Sequence, residues 1–440
     1  MKSLDFSRMM LSSCAAAALL AGCGGSQPSI GAPPPQAIIL RQTSPHVSRK
    51  AAAFQILHRF KAGIDAQVPL ADLIDVNGVL YGTTAGGGDY GCDGGGGCGA
   101  AYKVVFSGSR ISESVIYSVS EGSAPTAALL AVGDVLYGTT QYGGQNSCYY
   151  SCGTLFKLTP SGSGYAPSIL HYFQSNSGSN PTAPLIEVRG RRYGTASYGG
   201  SGNGGVIYEL SKTGSEYRVI LSFKGGQDGS NPYAGLIDFN GSIYGTTGTG
   251  GSANMGVVYE LKNAPGGYKE RVVYSFKGGK DGSYPYAALI ALHGVLYGTT
   301  SEGGGSGCSY GSGCGTAYKL TPVKAGYTEG VIYRFRGSPD GSYPDSGLTA
   351  FGEHLYGTTV LGGNTSCVSG RGCGTIFELI PSGVGYRERV LHRFAGGRGG
   401  DSPEAGLTAM NNSLYGTTAF GGNLKCNYGG GCGTVFSIEP

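Results

Sequence analysis

Leu80-Tyr81-Gly82-Thr83-Thr84 is a short stretch that returns along most of this 440-residue chain. Its further copies are Leu136–Thr140, Arg192–Ala196, Ile243–Thr247, Leu296–Thr300, Leu355–Thr359 and Leu414–Thr418, of which the second and third differ slightly from the others. The interval between copies ranges from 51 residues (Tyr193 to Tyr244) to 59 residues (Tyr297 to Tyr356). A nearly constant period of this length predicts one array of repeated supersecondary units.

Composition agrees with an ordered array and excludes some partners. Hydrophobic residues make up 40% of the chain, charged residues only 13%, and the formal net charge is +4. No run or stripe of Arg and Lys is present, so nucleic acid is not an expected partner. The 84 glycines recur beside apolar segments, which indicates turns rather than disorder.

One repeat contains four short strands. Around Tyr297 the predicted strands a, b, c and d are Ala287–Leu292, Val295–Thr300, Gly315–Leu320 and Val331–Phe335. His293-Gly294 is a tight turn between strands a and b, and Thr321-Pro322 is predicted to end strand c. Four antiparallel strands rich in aromatic and β-branched residues are typical of a propeller blade.

The two ends of the repeat region are complementary. It begins with a lone strand d, Ile56–Phe60, and ends after a strand c, Gly433–Phe436. The sequence therefore predicts an all-β, seven-bladed β-propeller closed by the N-terminal strand d joining the C-terminal three strands. A linear solenoid is the alternative, but its ends should be capping repeats rather than complementary fragments.

The N-terminus is typical of an exported protein. An apolar stretch after Arg8 ends in Leu20-Ala21-Gly22-Cys23, which resembles a bacterial lipobox. We therefore expect residues 1–22 to be a lipoprotein signal peptide, Cys23 to be lipidated, residues 23–50 to form a Pro/Gly/Ser-rich tether, and residues 51–440 to form the propeller. A simple secretory signal is the alternative. The expected location is a bacterial membrane or the cell surface, with only the lipid in the bilayer.

Ten cysteines form five local pairs in the loops that follow strand b. The pairs are Cys92/Cys98, Cys148/Cys152, Cys308/Cys314, Cys367/Cys373 and Cys426/Cys432. In an exported protein they predict five disulfide bonds that stiffen Gly-rich loops. A metal site is the alternative, but it requires four converging ligands, and these pairs belong to separate repeats.

The b–c and d–a loops should emerge on the same face of a propeller, and we place any binding surface there. Tyrosines, which offer a flat apolar ring and a hydroxyl, are frequent in these loops. The candidate binding residues are Tyr90, Tyr142, Tyr149, Tyr150, Tyr198, Tyr310 and Tyr428. Packing of these rings over the Gly-rich loops is the alternative.

Acids that do not recur in the repeats are the candidate catalytic residues, and they are Asp89, Asp93 and Glu302. Glu121 and Glu404 share this property. A glycosidase or lyase would require two such carboxylates to converge.

Several other polar residues recur with the repeat and are interpreted as scaffold. His58, His171 and His392 share one strand-d position that other repeats fill with Tyr or Leu. The aspartates Asp228, Asp281 and Asp340 precede Gly-Ser and are expected to bind their own turn backbone. Calcium binding by these turns is the alternative.

The pattern from Leu-Tyr-Gly-Thr-Thr through Gly-Gly to Gly-Cys-Gly-Thr-x-Phe/Tyr-x-Leu resembles the GloVer tandem-repeat family of bacterial exported proteins with varied anchors. The resemblance covers residues 54–440 and implies export and anchoring. It implies no catalytic residues. Kelch-type blades are similar only distantly, because this chain has no tryptophan.

Together these observations favour a cell-envelope binding module rather than an enzyme. The expected partner of its loop face is an envelope protein, a peptide or a glycan, and the chain is expected to be a monomer. The alternatives are a carbohydrate-active hydrolase or lyase using acids on that face, and a structural envelope protein. No cofactor and no metal are predicted.

Overall fold

The structure is a computed structural model that describes residues 52–88, 91–92, 96–144, 152–305, 307–308, 311–367, 370–383, 385–426 and 429–440. The expected signal peptide, the lipidation site Cys23 and the tether lie outside these residues. In the described ranges, no helix is both long and apolar enough to cross a membrane.

Thirty strands are described. In chain order they are β1 Ala53–Arg59, β2 Ala66–Gln67, β3 Ile74–Val76, β4 Val79–Thr84, β5 Gly86–Gly87, β6 Ala100–Ser107, β7 Arg110–Ser118, β8 Leu130–Val132, β9 Val135–Thr140, β10 Thr154–Ser161, β11 Gly164–Tyr172, β12 Ile186–Val188, β13 Arg191–Ala196, β14 Val206–Leu210, β15 Tyr217–Ser222, β16 Ile237–Phe239, β17 Ser242–Thr247, β18 Val257–Ala264, β19 Gly267–Ser275, β20 Ile290–Leu292, β21 Val295–Thr300, β22 Thr316–Val323, β23 Gly326–Arg334, β24 Thr349–Phe351, β25 His354–Thr359, β26 Thr375–Ser382, β27 Gly385–Arg393, β28 Thr408–Met410, β29 Ser413–Thr418 and β30 Thr434–Glu439. Two short 3-10 helices are Gly226–Asp228 and Gly397–Gly399.

Twenty-eight of these strands form seven four-stranded antiparallel sheets, which we call blades I to VII, and β2 and β5 form a separate two-stranded sheet. In order a-b-c-d the blades are β3-β4-β6-β7, β8 to β11, β12 to β15, β16 to β19, β20 to β23, β24 to β27, and β28-β29-β30-β1. Neighbouring blades contact one another around a closed ring, and blade VII contacts blade I. The predicted seven-bladed β-propeller is confirmed, including closure by β1 on β30.

The apolar core is divided into seven clusters, each shared by two consecutive blades. In the cluster at the ring closure, Leu80 and Tyr102 of blade I pack with Tyr415 and Val435 of blade VII. Each blade is therefore covered by apolar side chains on both faces, which explains why the strands do not alternate cleanly between apolar and polar residues.

The repeated stretch is strand b in every blade, and its glycine allows an aromatic ring to cross the strand. Gly298 lies opposite Tyr318 of strand c, and a Cβ atom at Gly298 would lie 2.6 Å from the Tyr318 hydroxyl oxygen. The corresponding glycines of the other blades meet a Tyr or Phe ring in the same way. Only a residue without a side chain fits there.

The tyrosine and the first threonine of the stretch join each blade to the next. The Tyr244 hydroxyl lies 2.8 Å from that of Tyr327, and Tyr193 forms the same pair with Tyr268 at 2.8 Å. The first threonine donates a hydrogen bond to a carbonyl of the following blade at all seven interfaces. The stretch is therefore a structural element that sets the contact between blades.

The structure corrects three strands of the repeat around Tyr297. Strand d, predicted as Val331–Phe335, spans Gly326–Arg334 because it pairs with the longer strand c as far as Val323. Strand a is only Ile290–Leu292, shorter than predicted. Strand c does not end at Pro322 but continues to Val323, with Pro322 paired to Tyr327. Strand b is last paired with strand c at Leu320, so no neighbour on that side requires the N–H group that proline lacks.

Candidate functional site

The b–c and d–a loops lie side by side in every blade. Short bridges pair the two loops, for example Ser123 with Tyr142, Ser179 with Tyr198, and Ser283 with Glu302. In blade I the equivalent contact is the small ladder between β2 and β5. The two loop types therefore form one continuous rim around the ring, held by backbone hydrogen bonds.

A proline marks where each d–a loop turns towards strand a. These prolines are Pro69, Pro125, Pro181, Pro232, Pro285, Pro344 and Pro403, and each lies against the glycine that precedes strand c of the preceding blade. The residue after the proline differs from blade to blade, and these residues are Leu70, Thr126, Thr182, Tyr233, Tyr286, Asp345 and Glu404. The scaffold thus holds seven chemically different side chains at equivalent positions.

In each d–a loop, the residue three positions after the proline lies close to the axis of the ring. The Asp72 carboxylate accepts a hydrogen bond from the Gly406 N–H at 2.6 Å. A Cβ atom at Gly406 would lie 3.2 Å from the Gly347 carbonyl, and Gly347 has the same relation to Ala288 at 3.4 Å. Residues of consecutive blades touch in this way only near the axis, because the spacing between blades grows with radius.

Four tyrosines form a row on the rim near this axis. The Tyr198 and Tyr233 hydroxyls are 2.5 Å apart, and their rings are nearly perpendicular at 6.1 Å. Tyr286 continues the row with its ring 5.3 Å from that of Tyr233. Tyr142 is a neighbour of Tyr198, and burial and Tyr198 together raise its pKa. Tyr198 remains 40% exposed.

Three carboxyl groups extend the row beyond Tyr286. Burial raises the pKa of Asp345 to about 7, although the Ser301 hydroxyl donates a hydrogen bond to it, and the charge of Glu302 adds to the rise. Burial and the charge of Asp345 raise the pKa of Glu404 to about 7. The pKa of Glu302 is also raised by burial. We call the four tyrosines and these three acids the channel mouth.

The channel mouth combines apolar ring surface with groups that both donate and accept hydrogen bonds. Burial raises the pKa of both Asp345 and Glu404 to about 7, so each carboxyl exchanges between its protonated and its ionised form near neutral pH. The site can therefore donate a hydrogen bond from one carboxyl and accept at the other. Stacking on the tyrosines is available beside them.

The structure brings together four of the residues singled out in the sequence, namely Tyr142, Tyr198, Glu302 and Glu404. Glu121 accepts a hydrogen bond from the Tyr172 hydroxyl instead. The other candidates lie outside the described residues, and they are Tyr90, Tyr149, Tyr150, Tyr310, Tyr428, Asp89 and Asp93. Tyr233, Tyr286 and Asp345 were missed. Their signal was a variable residue directly after a recurring proline.

The cysteine pairs behave as predicted where they are described. Disulfide bonds join Cys92 to Cys98, Cys308 to Cys314, Cys367 to Cys373, and Cys426 to Cys432. Cys152 is also disulfide-bonded, and Cys148 lies outside the described residues. The bonds close short segments of the b–c loops, and Cys314 packs in one apolar cluster with Phe335, which follows strand d.

The recurring aspartates bind their own turns, as the sequence predicts. Asp228, Asp281 and Asp340 each accept a hydrogen bond from the backbone N–H four residues earlier. The strand-d histidines also occupy equivalent positions, since His58, His171 and His392 all pair with the second residue of strand c. Two of them have a packing role, because His171 stacks on Tyr217 and His392 on Phe54.

A surface cavity also lies between blades IV and V, beside the c–d turn. Its lining includes Tyr244, Glu260, Lys262, Arg271 and Tyr327. The Tyr244–Tyr327 hydrogen bond joins the two blades, and Arg271 and Lys262 pair with Glu260 within blade IV. The cavity is therefore a feature of the blade interface, and the channel mouth remains the candidate site.

Comparisons with solved structures give matches at low sequence identity. The chain is similar to a protein in a crystal structure of a nidogen/laminin complex (14% identity, 64% of this chain and 86% of that chain, TM-score 0.39) and to YjhT (10%, 76% and 100%, TM-score 0.45). It is also similar to a Trypanosoma rangeli sialidase in complex with sialic acid (11%, 77% and 58%, TM-score 0.40), and spans about three fifths of that chain. A search of the curated proteins found no match.

The sequence itself carries a family signature. The model of the Gloeobacter/Verrucomicrobia repeat matches residues 93–312, which is half of the chain and includes four of the seven copies of strand b. This match agrees with the resemblance drawn from the repeated stretch and its Gly-Cys-Gly-Thr partner. The chain belongs to the Gloeobacter/Verrucomicrobia repeat family.

Proposed function

We propose that this chain is an extracytoplasmic binding module that binds a carbohydrate at its channel mouth. The observation that carries the proposal is the row Tyr198, Tyr233 and Tyr286 beside the carboxyl groups of Asp345 and Glu404. Tyrosine rings stack on the apolar faces of pyranose rings, and carboxyl groups bind sugar hydroxyls as donors or acceptors. Each group is supplied by a different loop or blade, which suits a ligand that spans several sugar units.

The position of these side chains supports recognition rather than packing. The residue after the loop proline is variable, whereas the proline and the strands around it recur in all seven blades. Function commonly lies on variable loop positions that a rigid scaffold holds in place. Preorganised rings and carboxyls lose little conformational entropy when a ligand binds.

Export and a lipid anchor belong to the same proposal. Disulfide-bonded loops are typical of proteins outside the reducing cytoplasm. Cys23 follows an apolar stretch in a lipobox-like context, so we infer that its thiol is acylated and that residues 23–50 tether the propeller to a bacterial membrane. Cys23→Ser should move the protein from the membrane fraction to the soluble fraction, and unchanged fractionation would contradict the anchor.

A glycan array followed by calorimetric titration tests the binding proposal on the purified full chain. Tyr286→Thr and Glu404→Thr are suitable variants, because blades II and III already carry threonine at the equivalent positions Thr126 and Thr182. We expect either substitution to weaken binding by about 10-fold or more, the usual effect of removing a central contact. Thr126→Ala, at the same position of another blade, is the matched control. Equal affinity in all variants would overturn the proposed site.

An enzyme is the second candidate, and one observation favours it. Asp345 and Glu404 interact electrostatically and titrate near pH 7, as the acid and base of a glycosidase or lyase would. A bound glycan incubated with the wild-type chain separates the candidates. Release of shorter products, lost in Asp345→Asn with binding retained, would identify an enzyme, whereas an intact glycan would leave the binding module.

A further inference from the structure

Three side chains that do not belong to the channel mouth meet at the seam, the interface between blades VII and I where the ring closes. His58 lies on β1, the N-terminal strand of blade VII, Asp65 lies in the loop that follows, and Glu113 lies on β7 of blade I. The His58 Nε2 atom is 3.9 Å from Asp65 Oδ2 and 3.7 Å from Glu113 Oε2. One ligand atom from each residue lies within 4.8 Å of the other two.

Comparison with the equivalent interfaces shows what is special about this seam. An Asp and a Glu also meet between later blades, as Asp281 with Glu329 and Asp340 with Glu388. There a tyrosine replaces the histidine and donates directly to the aspartate, Tyr274 to Asp281 at 2.7 Å and Tyr333 to Asp340 at 2.9 Å. The structure describes the equivalent positions at all seven interfaces between blades. Among these interfaces, only the seam has His, Asp and Glu together.

The histidine does not make the contact that the tyrosines make. At 3.7 and 3.9 Å its Nε2 atom is too far from both carboxylates for a hydrogen bond. Nε2 of His58 and Oε1 of Glu113 have no hydrogen-bond partner among the described residues. The Glu113 side chain is only 7% exposed, so water does not readily satisfy it. The Oε1 atoms of Glu329 and Glu388 also have no hydrogen-bond partner among the described residues, so the feature particular to the seam is the unpartnered imidazole nitrogen. A cation between this nitrogen and the two carboxyl groups would supply its missing partner.

The remaining features fit metal ligation. Asp65 is held in place by the N–H groups of Lys61 at 3.0 Å and Ala66 at 2.9 Å. Backbone hydrogen bonds of this kind orient a ligating carboxylate. The observed separations require shifts of only a few tenths of an ångström to place all three atoms ~2.0–2.2 Å from one ion.

We propose that His58, Asp65 and Glu113 bind one divalent transition-metal cation across the seam of the ring. One imidazole nitrogen and two carboxylate oxygens suit Zn²⁺ or Mn²⁺, with water completing the coordination. The ion joins β1, the N-terminal strand of blade VII, to blade I. It therefore adds a fourth kind of contact to the closure, beside the β1–β30 ladder, the apolar cluster and the threonine hydrogen bonds.

Metal analysis of the purified full chain, loaded with Zn²⁺ or Mn²⁺ and then dialysed, tests the proposal together with thermal unfolding. We expect about one equivalent of metal per chain and a melting temperature raised by roughly 5 °C over the EDTA-treated chain. His58→Tyr should lose both effects yet remain folded, because it copies the arrangement of Tyr274 and Tyr333. A variant His58→Tyr that binds as much metal as the wild type would overturn the proposal, as would a wild-type chain that retains none.

A gain of binding provides a second, independent readout. Tyr333→His should create the same set of ligands with Asp340 and Glu388, and raise the metal content to about two equivalents. If His58→Tyr fails to fold, Glu113→Gln decides instead, since it keeps the shape of the side chain and removes the charged ligand. Metal retained in folded Glu113→Gln at the wild-type level would contradict the site.

Discussion

The Thr83 hydroxyl in strand b of blade I donates a hydrogen bond to the Ala127 carbonyl of blade II at 2.8 Å. Both groups are buried, and the same contact returns between all pairs of neighbouring blades. A side chain that recurs in the sequence thus has one structural task, the attachment of a blade to the next. This relation explains why the repeated stretch tolerates few changes from blade to blade.

Thr83→Val should destabilise the ring without changing its packing volume. Valine has nearly the shape of threonine but cannot donate to the Ala127 carbonyl, so we expect a loss of about 1 kcal/mol in the free energy of unfolding. Urea denaturation followed by circular dichroism measures it. Thr328→Val is the matched control, because Thr328 is exposed on β23. Equal stability of the two variants would show that the hydrogen bond contributes nothing.

Gly298→Ala should be more damaging than its size suggests. The new Cβ atom would lie 2.6 Å from the Tyr318 hydroxyl oxygen and 2.7 Å from the ring carbon that carries it, and Tyr318 is fully buried. Overpacking of this kind commonly costs about 1–3 kcal/mol. Thermal unfolding compares it with Gly385→Ala, where a Cβ atom meets nothing within 4 Å. The hypothesis fails if both alanine variants melt together.

The recurrence of strand b made the architecture predictable, whereas the channel mouth required the coordinates. Copies of one stretch reveal strand b, the number of blades and the complementary ends, because the same side-chain contacts recur in every blade. Tyr198 and Tyr233 belong to different blades, and nothing local links the b–c loop of one to the d–a loop of the next. Asp345 was missed for the same reason. Whether strand c continues through Pro322 also depends on another strand. Proline is tolerated there because strand b no longer pairs with strand c beyond Leu320.

Stability should decrease as the pH rises through neutrality. Burial raises the pKa of Glu270, Glu329 and Glu388 to about 7 in the folded chain, well above the ordinary value of a glutamate carboxyl. A carboxyl whose pKa is raised by folding contributes stability below its unfolded pKa and loses it as the pH passes the folded value. We expect the free energy of unfolding, measured by urea denaturation, to fall between pH 5 and pH 8 by roughly 1 kcal/mol per carboxyl after allowance for solvent screening.

Glu329→Gln tests the source of this pH dependence. Glutamine remains neutral throughout, so the variant should lose less stability than the wild type between pH 5 and pH 8. The contribution of Glu260 to stability should have the opposite pH dependence. Burial raises the pKa of Glu260, but hydrogen bonds from Arg271 and Tyr244 outweigh it and lower the pKa overall, so its contribution disappears in acid. An unchanged pH profile in Glu329→Gln would assign the effect to other groups.

Asp345→Asn should change how Glu404 titrates, because the two groups lie in consecutive blades of the same channel mouth. Burial raises the pKa of Glu404 to about 7, and the charge of Asp345 contributes to that rise. Asparagine keeps the size of the side chain and removes the charge, so we expect the pKa of Glu404 to fall in the variant. Carbon-13 NMR of labelled glutamate carboxyls, followed from pH 4 to pH 9, measures this shift directly.

Glu388 is the internal reference, because its raised pKa depends on burial and on Asp340 rather than on Asp345. A fall in the Glu404 pKa with Glu388 unchanged would demonstrate electrostatic coupling across the channel mouth, the property on which its role as a donor and acceptor depends. Equal pKa values for Glu404 in the wild type and the variant would mean that burial alone sets its protonation, and the paired-carboxyl account of the site would then be wrong.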